Sequence, residues 1–370
     1  MKTKILNFIK SNVVLIIAVI LAVISFFFAP FNISNFGPNG FIDYDTLILL
    51  FSILLVIAGL KATNIFEIIA NKIISIFKSR RTLILAIIFT TFFFDMIVAN
   101  DMSLITLLPI SYLALHMTGN DKYVMITFIL QTIAANMGGM ITPYGNPQNL
   151  YLYNFYQIPT LEFFKILIAY TIIIAVLLII VCLFIPNQKL EVVIKSEGKL
   201  NVKNSIIFGI LFVIVVLSIF RLIPRLICLG IVLLTTLIFD IKRILKVDYG
   251  LLFTFFAFFI FSGNLSTIPV MKDFLTGLVN ENVLLCGISS CQLISNVPTA
   301  ILLSKFTTNY ADLLISVNIG SLGILISSLA SLITLKEYLK NNKGVGKYIG
   351  VYTLVNTIFL IILIGLSFII

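Results

Sequence analysis

The chain has 370 residues, 60% of them hydrophobic and 11% charged, with a mean hydropathy of +1.15. Soluble domains carry about 25% charged residues, so a water-soluble globule is excluded. The formal net charge of +10 would suggest nucleic acid in a soluble protein, but here the Lys and Arg residues sit in short stretches between apolar runs. That pattern orients a membrane protein and gives no nucleic-acid partner.

In chain order, the first apolar run is 12–28. No small-residue cleavage site follows it, because Ser25 to Pro30 reads Ser-Phe-Phe-Phe-Ala-Pro, so it is expected to stay as a membrane helix. Further apolar lengths at 46–60, 161–185, 204–220, 224–239, 249–262 and 347–370 approach the roughly 20 residues that cross a ~30 Å hydrocarbon core. The stretches 121–155 and 310–334 are also long enough, but Gly, Asn and Pro interrupt them, which predicts broken helices.

Two other apolar stretches have polar centres that disfavour a helix. These are 82–117, centred on Ala99-Asn100-Asp101, and 283–307, centred on Ser295-Asn296-Val297-Pro298. Both are predicted to be re-entrant hairpins whose tips line a site, because non-helical backbone at membrane depth survives only beside protein or a water-filled cavity. An amphipathic stretch precedes each, at 64–79 and 266–281.

With the hairpins returning to the side they entered and the N-terminus cytoplasmic, 20 of the 25 basic residues fall inside. Only Lys165, Arg221, Arg225, Lys272 and Lys305 fall outside, which puts the C-terminus outside. The expected fold class is therefore an all-α, multi-pass plasma (inner) membrane protein, with about nine crossings and two re-entrant helical hairpins.

The order span, amphipathic helix, hairpin and interrupted helix occurs twice, and Ala135-Asn136-Met137-Gly138-Gly139 answers Val317-Asn318-Ile319-Gly320-Ser321. The first hairpin starts inside and the second outside, which makes this an inverted repeat. The expected units are 1–40, an N-terminal helix and external loop; 41–185, the first repeat; 186–203, a basic cytoplasmic linker; and 204–370, the second repeat.

The strongest local signal runs from Asn136 through Thr142, Gly145, Asn146 and Pro147 to Asn149, where two Pro, three Gly and three Asn interrupt an apolar crossing. Pro frees a carbonyl and Gly lets the backbone turn, so main-chain groups become available to an ion or substrate. Asp95 and Asp101 are the acids of the first hairpin, and a carboxylate at mid-bilayer costs about 2.5–3.5 kcal/mol on insertion scales. Asp101, at the tip beside Asn100 and near Ser103, reads as a coupling residue or as the cap of the returning helix. Asp95 reads as a second coupling candidate or as a packing residue. The second tip offers Ser295, Asn296 and Thr299 and no acid. His116 reads as interfacial, and Lys305 as snorkelling toward the outer surface. Cys182, Cys228, Cys286 and Cys291 lack metal-ligand spacing and read as reduced packing residues.

On these residues the chain resembles, over about 40–370, the ion transporter superfamily of arsenite permeases, citrate transporters and divalent-anion:sodium symporters. Gly145-Asn146-Pro147-Gln148-Asn149 matches that superfamily's turn, and Ser295-Asn296 matches two positions of its Ser-Asn-Thr tip. Ala99 and Asp101 replace Ser and Thr at the first tip and Val297 replaces Thr at the second, and an Asn-Asp tip looks more like the arsenite-permease side. The resemblance implies a secondary transporter of a small anion, either a carboxylate such as citrate or an oxyanion such as arsenite. It implicates Gly145, Asn146, Pro147, Asn149, Ser295 and Asn296 in binding, and the residue pattern adds Asn100, Asp101, Ser103, Thr142, Thr299, Asn318 and Ser321 as candidates. A proton or sodium gradient would drive it, with sodium near Asn100, Asn146 and Asn296 and no other cofactor. A homodimer is a common state in the superfamily, and an ATPase subunit is a partner for an arsenite-permease relative. Two other readings are a passive channel, which lacks a repeated Asn-Pro at Asn296-Val297, and an intramembrane enzyme, which lacks His-Glu-x-x-His and paired Asp-rich motifs.

Overall fold

The computed structural model describes residues 13–29, 32–37, 40–190 and 199–369, which form helices and one isolated β-bridge between Ser79 and Lys189. The charge count at Lys2, Lys4, Lys10 and Lys195, and with it the cytoplasmic N-terminus, lies partly outside these residues. In the first half the helices are α1 (Val13–Ser25), α2 (Tyr44–Lys61), α3 (Ile65–Ile76), α4 (Arg80–Asp95), α5 (Asn100–Met117), α6 (Val124–Gly138), α7 (Pro147–Phe155) and α8 (Thr160–Leu183). The second half supplies α9 (Val202–Ile219), α10 (Arg225–Asp240), α11 (Tyr249–Thr267), α12 (Pro269–Glu281), α13 (Val283–Ile294), α14 (Asn296–Leu303), α15 (Tyr310–Ile319), α16 (Leu329–Asn341) and α17 (Val345–Ser367).

The chain is an all-α membrane protein. Among the described residues six helical segments are individually long and apolar enough to cross, covering 44–61, 121–141, 160–183, 202–219, 249–267 and 345–367. The other expected crossings form shorter helices, α1, α10 and α15. Burial sorts the six by role. The 121–141 segment is 89% buried, whereas 202–219 and 345–367 are each 28% buried. An apolar helix with most of its surface uncovered by protein faces lipid, and one that is almost wholly covered carries the interior.

Both hairpins are present as helix pairs, α4 with α5 and α13 with α14, and the amphipathic α3 and α12 precede them. The tips are tighter than the sequence suggests. Asn100 and Asp101 already belong to α5, and the first turn is 96–99; in the second, Ser295 alone separates α13 from α14. The physical reason is the same at both. Asn100 Oδ1 accepts the Asp101 amide at 2.9 Å and Asn296 Oδ1 accepts the Val297 amide at 2.9 Å. Each Asn thus satisfies one of the orphan donors of a helix start, so the helix can begin at the Asn itself.

Both interrupted helices break where expected. α6 ends at Gly138 and α7 starts at Pro147, the favoured first helical position for a residue without an amide. α15 ends at Ile319 and α16 resumes at Leu329. The two halves then exchange their second segments. α7 packs on α14 and α15, while α16 packs on α5 and α6. Polar pins fix the exchange: Tyr151 and Ser304 hydroxyls meet at 2.7 Å, and Thr132 Oγ1 donates to Thr334 Oγ1 at 2.7 Å.

Candidate functional site

The exchange places both breaks and both hairpin tips around one polar centre. Asn136, on the last turn of α6, is its hub. Its Oδ1 accepts from Asn100 Nδ2 at 3.1 Å and from Ser328 Oγ at 2.9 Å, and its carbonyl accepts from Asn146 Nδ2 at 2.9 Å. Next to Ser328, the Ser327 carbonyl accepts from Ser295 Oγ at 3.4 Å. First tip, first break, second break and second tip are therefore linked by direct bonds. A second link runs between the breaks: Asn318 Nδ2 donates to Asn149 Oδ1 at 2.7 Å, and Gln148 Nε2 donates to Asn318 Oδ1 at 3.3 Å.

Four helices begin at this centre: α5 at Asn100, α7 at Pro147, α14 at Asn296 and α16 at Leu329. None has a capping side-chain bond from its N-cap residue, respectively Ala99, Asn146, Ser295 and Ser328. Asp101 therefore does not cap α5. Each start turns the partial positive end of its helix toward the centre, although Asn100 and Asn296 already take the Asp101 and Val297 amides and Pro147 has none.

The carbonyl ends of α4 and α6 meet at Gly145. A Cβ built there would lie 2.3 Å from the Gly139 carbonyl, 2.6 Å from Thr142 Oγ1 and 2.7 Å from the Asp95 carbonyl. Only glycine leaves this cradle of oxygens open. Thr142 Oγ1 itself donates to the Met96 carbonyl at 3.0 Å. Nearby, Asp95 Oδ2 accepts from Ser103 Oγ at 2.9 Å. Asp95 Oδ1, Asp101 Oδ1, Asn146 Oδ1 and Gln148 Oε1 are buried acceptors without a partner among the described residues. Such atoms are costly to leave unmade and call for a donor or a cation.

The break of the second half is closed by side chains. Ser327, which follows Asn318 by the interval that separates Gly145 from Asn136, donates to the Ser321 carbonyl at 2.7 Å and the Ile324 carbonyl at 2.6 Å. Gln292 Nε2 donates to the carbonyls of Gly320 at 2.8 Å and Leu322 at 3.0 Å. The two breaks differ in what they leave free.

Ser295 is held at φ 75°, ψ 160°. That region is essentially confined to glycine and costs on the order of 1–3 kcal/mol. Other expected site residues also donate to main-chain carbonyls. Thr299 Oγ1 donates to the Ser295 carbonyl at 2.8 Å, Ser321 Oγ to the Asn318 carbonyl at 2.6 Å, and Asn149 Nδ2 to the Met140 carbonyl at 2.9 Å. Lys305 does not snorkel freely, since its Nζ lies 4.8 Å from the Phe155 ring centroid. Exposed His116 pairs with Asp121 at 2.6 Å, away from the centre. Cys182, Cys228 and Cys291 are buried and Cys286 partly so, all with free thiols. Sequence reasoning missed Gln292, Ser327 and Ser328 as site residues. The polar letters were visible, but only the fold puts them against the breaks.

This geometry has a sequence-level counterpart. A family model described as Citrate transporter (CitMHS) matches residues 4–334. The chain belongs to the citrate-transporter family. It is 33% identical over 329 residues to the uncharacterized transporter MJ0456 of Methanocaldococcus jannaschii, covering 88% of this chain and 89% of that protein. It is 27% identical over 316 residues to the inner membrane protein YbiR of Escherichia coli, covering 84% of this chain and 83% of that one. The resemblance to the ion transporter superfamily is thus upheld, and this member of the citrate-transporter family is a multi-pass membrane transporter.

Proposed function

We propose that the protein is a secondary active transporter of a small anion, a carboxylate such as citrate or a dicarboxylate, or an oxyanion such as arsenite, driven by a sodium or proton gradient. The observation that carries this reading is the meeting of four helix N-termini at the Asn136–Ser328 centre. Half-helix N-termini at mid-membrane attract the anionic group of a substrate without a fixed cation, so the anion can leave again.

The coupling cation belongs at Gly145, where the Gly139 and Asp95 carbonyls and Thr142 Oγ1 converge beside the free Asn146 Oδ1. An all-oxygen donor set suits a hard cation such as sodium. Ser327 and Gln292 close the second break, so sodium binds in the first half only, near Asn100 and Asn146 and not near Asn296. Asp101 is the coupling residue and Asp95 its support. The halves 41–185 and 204–370, joined by the cytoplasmic linker 186–203, sit in opposite orientations, and the site alternates between the two faces as the hairpins shift.

Uptake into proteoliposomes, screened over citrate, C4-dicarboxylates, sulfate and arsenite under imposed sodium and proton gradients, tests the proposal. Accumulation of one anion against its gradient is expected. Saturation-free flux that ignores both gradients would establish a passive channel instead.

A further inference from the structure

A second polar cavity lies away from the central site, with a volume of about 290 Å³, close to the lower end of the roughly 300–1,000 Å³ range of small-ligand pockets. It forms where the C-terminal end of α7 meets the α9–α10 loop, and Asn154, Gln157, Ser218, Arg221, Ile223 and Arg225 are in its wall. The wall contains two guanidinium groups and no carboxylate.

Arg221 is anchored without being neutralised. Its guanidinium donates to the carbonyls of Tyr153 at 2.8 Å, Ile158 at 3.1 Å and Gln157 at 3.5 Å, and lies 4.3 Å from the Tyr153 ring centroid. These carbonyls close α7 and use only part of the donor fork. Arg225 pairs with Asp45 at 2.8 Å, both side chains being partly exposed. The other acid close by, Asp43, is already engaged by the Thr46 amide at 2.9 Å and hydroxyl at 2.6 Å, and by Asn154 Nδ2. α10 starts beside Arg225 behind Pro224, which provides no capping bond. Ser218, 4% exposed, is also in the wall, but its hydroxyl is turned to the Cys228 thiol, so the two arginines are the anion-binding groups of this cavity.

We infer that this cavity is an accessory oxyanion site, taking one carboxylate or phosphate group between Arg221 and Arg225. Both a free small anion and the head group of an anionic lipid carry that chemistry. The site lies on the face that the charge distribution makes external, and it is separate from the central site.

The test is thiol labelling of an Ile223→Cys variant, which needs no transport and so stands or falls apart from the proposed function. An anionic methanethiosulfonate reagent is expected to react about fivefold faster than a cationic one of similar size, because the local field enriches anions. Millimolar citrate or phosphate should slow that reaction in detergent if the ligand is a free anion. Phosphatidylglycerol nanodiscs, but not phosphatidylcholine nanodiscs, should slow it if the ligand is a lipid head group. Adding Arg225→Gln should shrink the anionic preference, while Arg221 is left intact because it closes α7. A faster cationic reagent, a preference unchanged by Arg225→Gln, or protection by none of citrate, phosphate and phosphatidylglycerol would overturn the inference.

Discussion

Ser328 Oγ donates to Asn136 Oδ1 at 2.9 Å, joining the break of the second half to the break of the first across 192 positions of sequence. The same oxygen accepts from Asn100, so one amide oxygen holds a hairpin tip and both interrupted helices in register. Low local dielectric strengthens such a bond and makes its loss expensive.

Asn136→Ala should therefore leave the Asn100 amide and Ser328 hydroxyl unpaired, at about 1–3 kcal/mol for each buried group. A lowered midpoint of thermal unfolding in detergent, together with lost uptake, is the expected result. Asn136→Asp keeps the acceptor oxygens and should recover most of the stability but not the transport. Equal stability of Asn136→Ala and the parent would remove Asn136 from its place as hub.

Gly145→Ala drives a Cβ to within 2.3 Å of the Gly139 carbonyl and 2.7 Å of the Asp95 carbonyl, both backbone atoms that cannot swing aside. Sodium should stabilise the parent protein against heat, by mass action on the folded state, and should no longer stabilise the variant. The melting curves of both with sodium and with choline decide this; an undiminished sodium effect in the variant would move the cation elsewhere.

Ser295→Gly removes the side chain from a backbone conformation of φ 75°, ψ 160°. Relief of that strain should stabilise the protein by on the order of 1 kcal/mol. The bond to the Ser327 carbonyl is lost at the same time, so uptake should fall while the melting temperature rises. Ser295→Ala keeps the strain and loses the hydroxyl, and it should lower uptake without the gain in stability.

Asp101→Asn conserves size and removes charge. If Asp101 couples the gradient to the substrate, the variant should fold and exchange substrate but should not accumulate it. Accumulation equal to the parent across pH 5 to 9 would clear Asp101 and direct attention to Asp95, whose Oδ1 is also without a partner.

Topology is open to cysteine labelling in intact cells. The 20 to 5 division of the 25 basic residues places Lys343 inside and Leu222 outside. A cysteine at Leu222 should react with an impermeant reagent and one at Lys343 should not. The opposite result would invert the whole chain.

What the sequence determined by itself is the set of places where an apolar chain could not remain a simple helix. Asn100, Gly145, Asn146, Pro147, Ser295 and Asn318 announced turns and breaks because polar and helix-breaking residues are expensive in a bilayer unless they are used, and hydropathy and charge supplied the helices around them. The tertiary structure decided which of those groups are spent and which are free. Thr299, Ser321 and Asn149 each donate a hydrogen bond to a carbonyl of the frame, which packing alone determines. Gln292 and Ser327 close the second break with bonds to carbonyls, while Gly145 leaves the first one open. Whether a carbonyl is left for a ligand depends on which side chain from a distant segment reaches it first, and that is a property of packing alone.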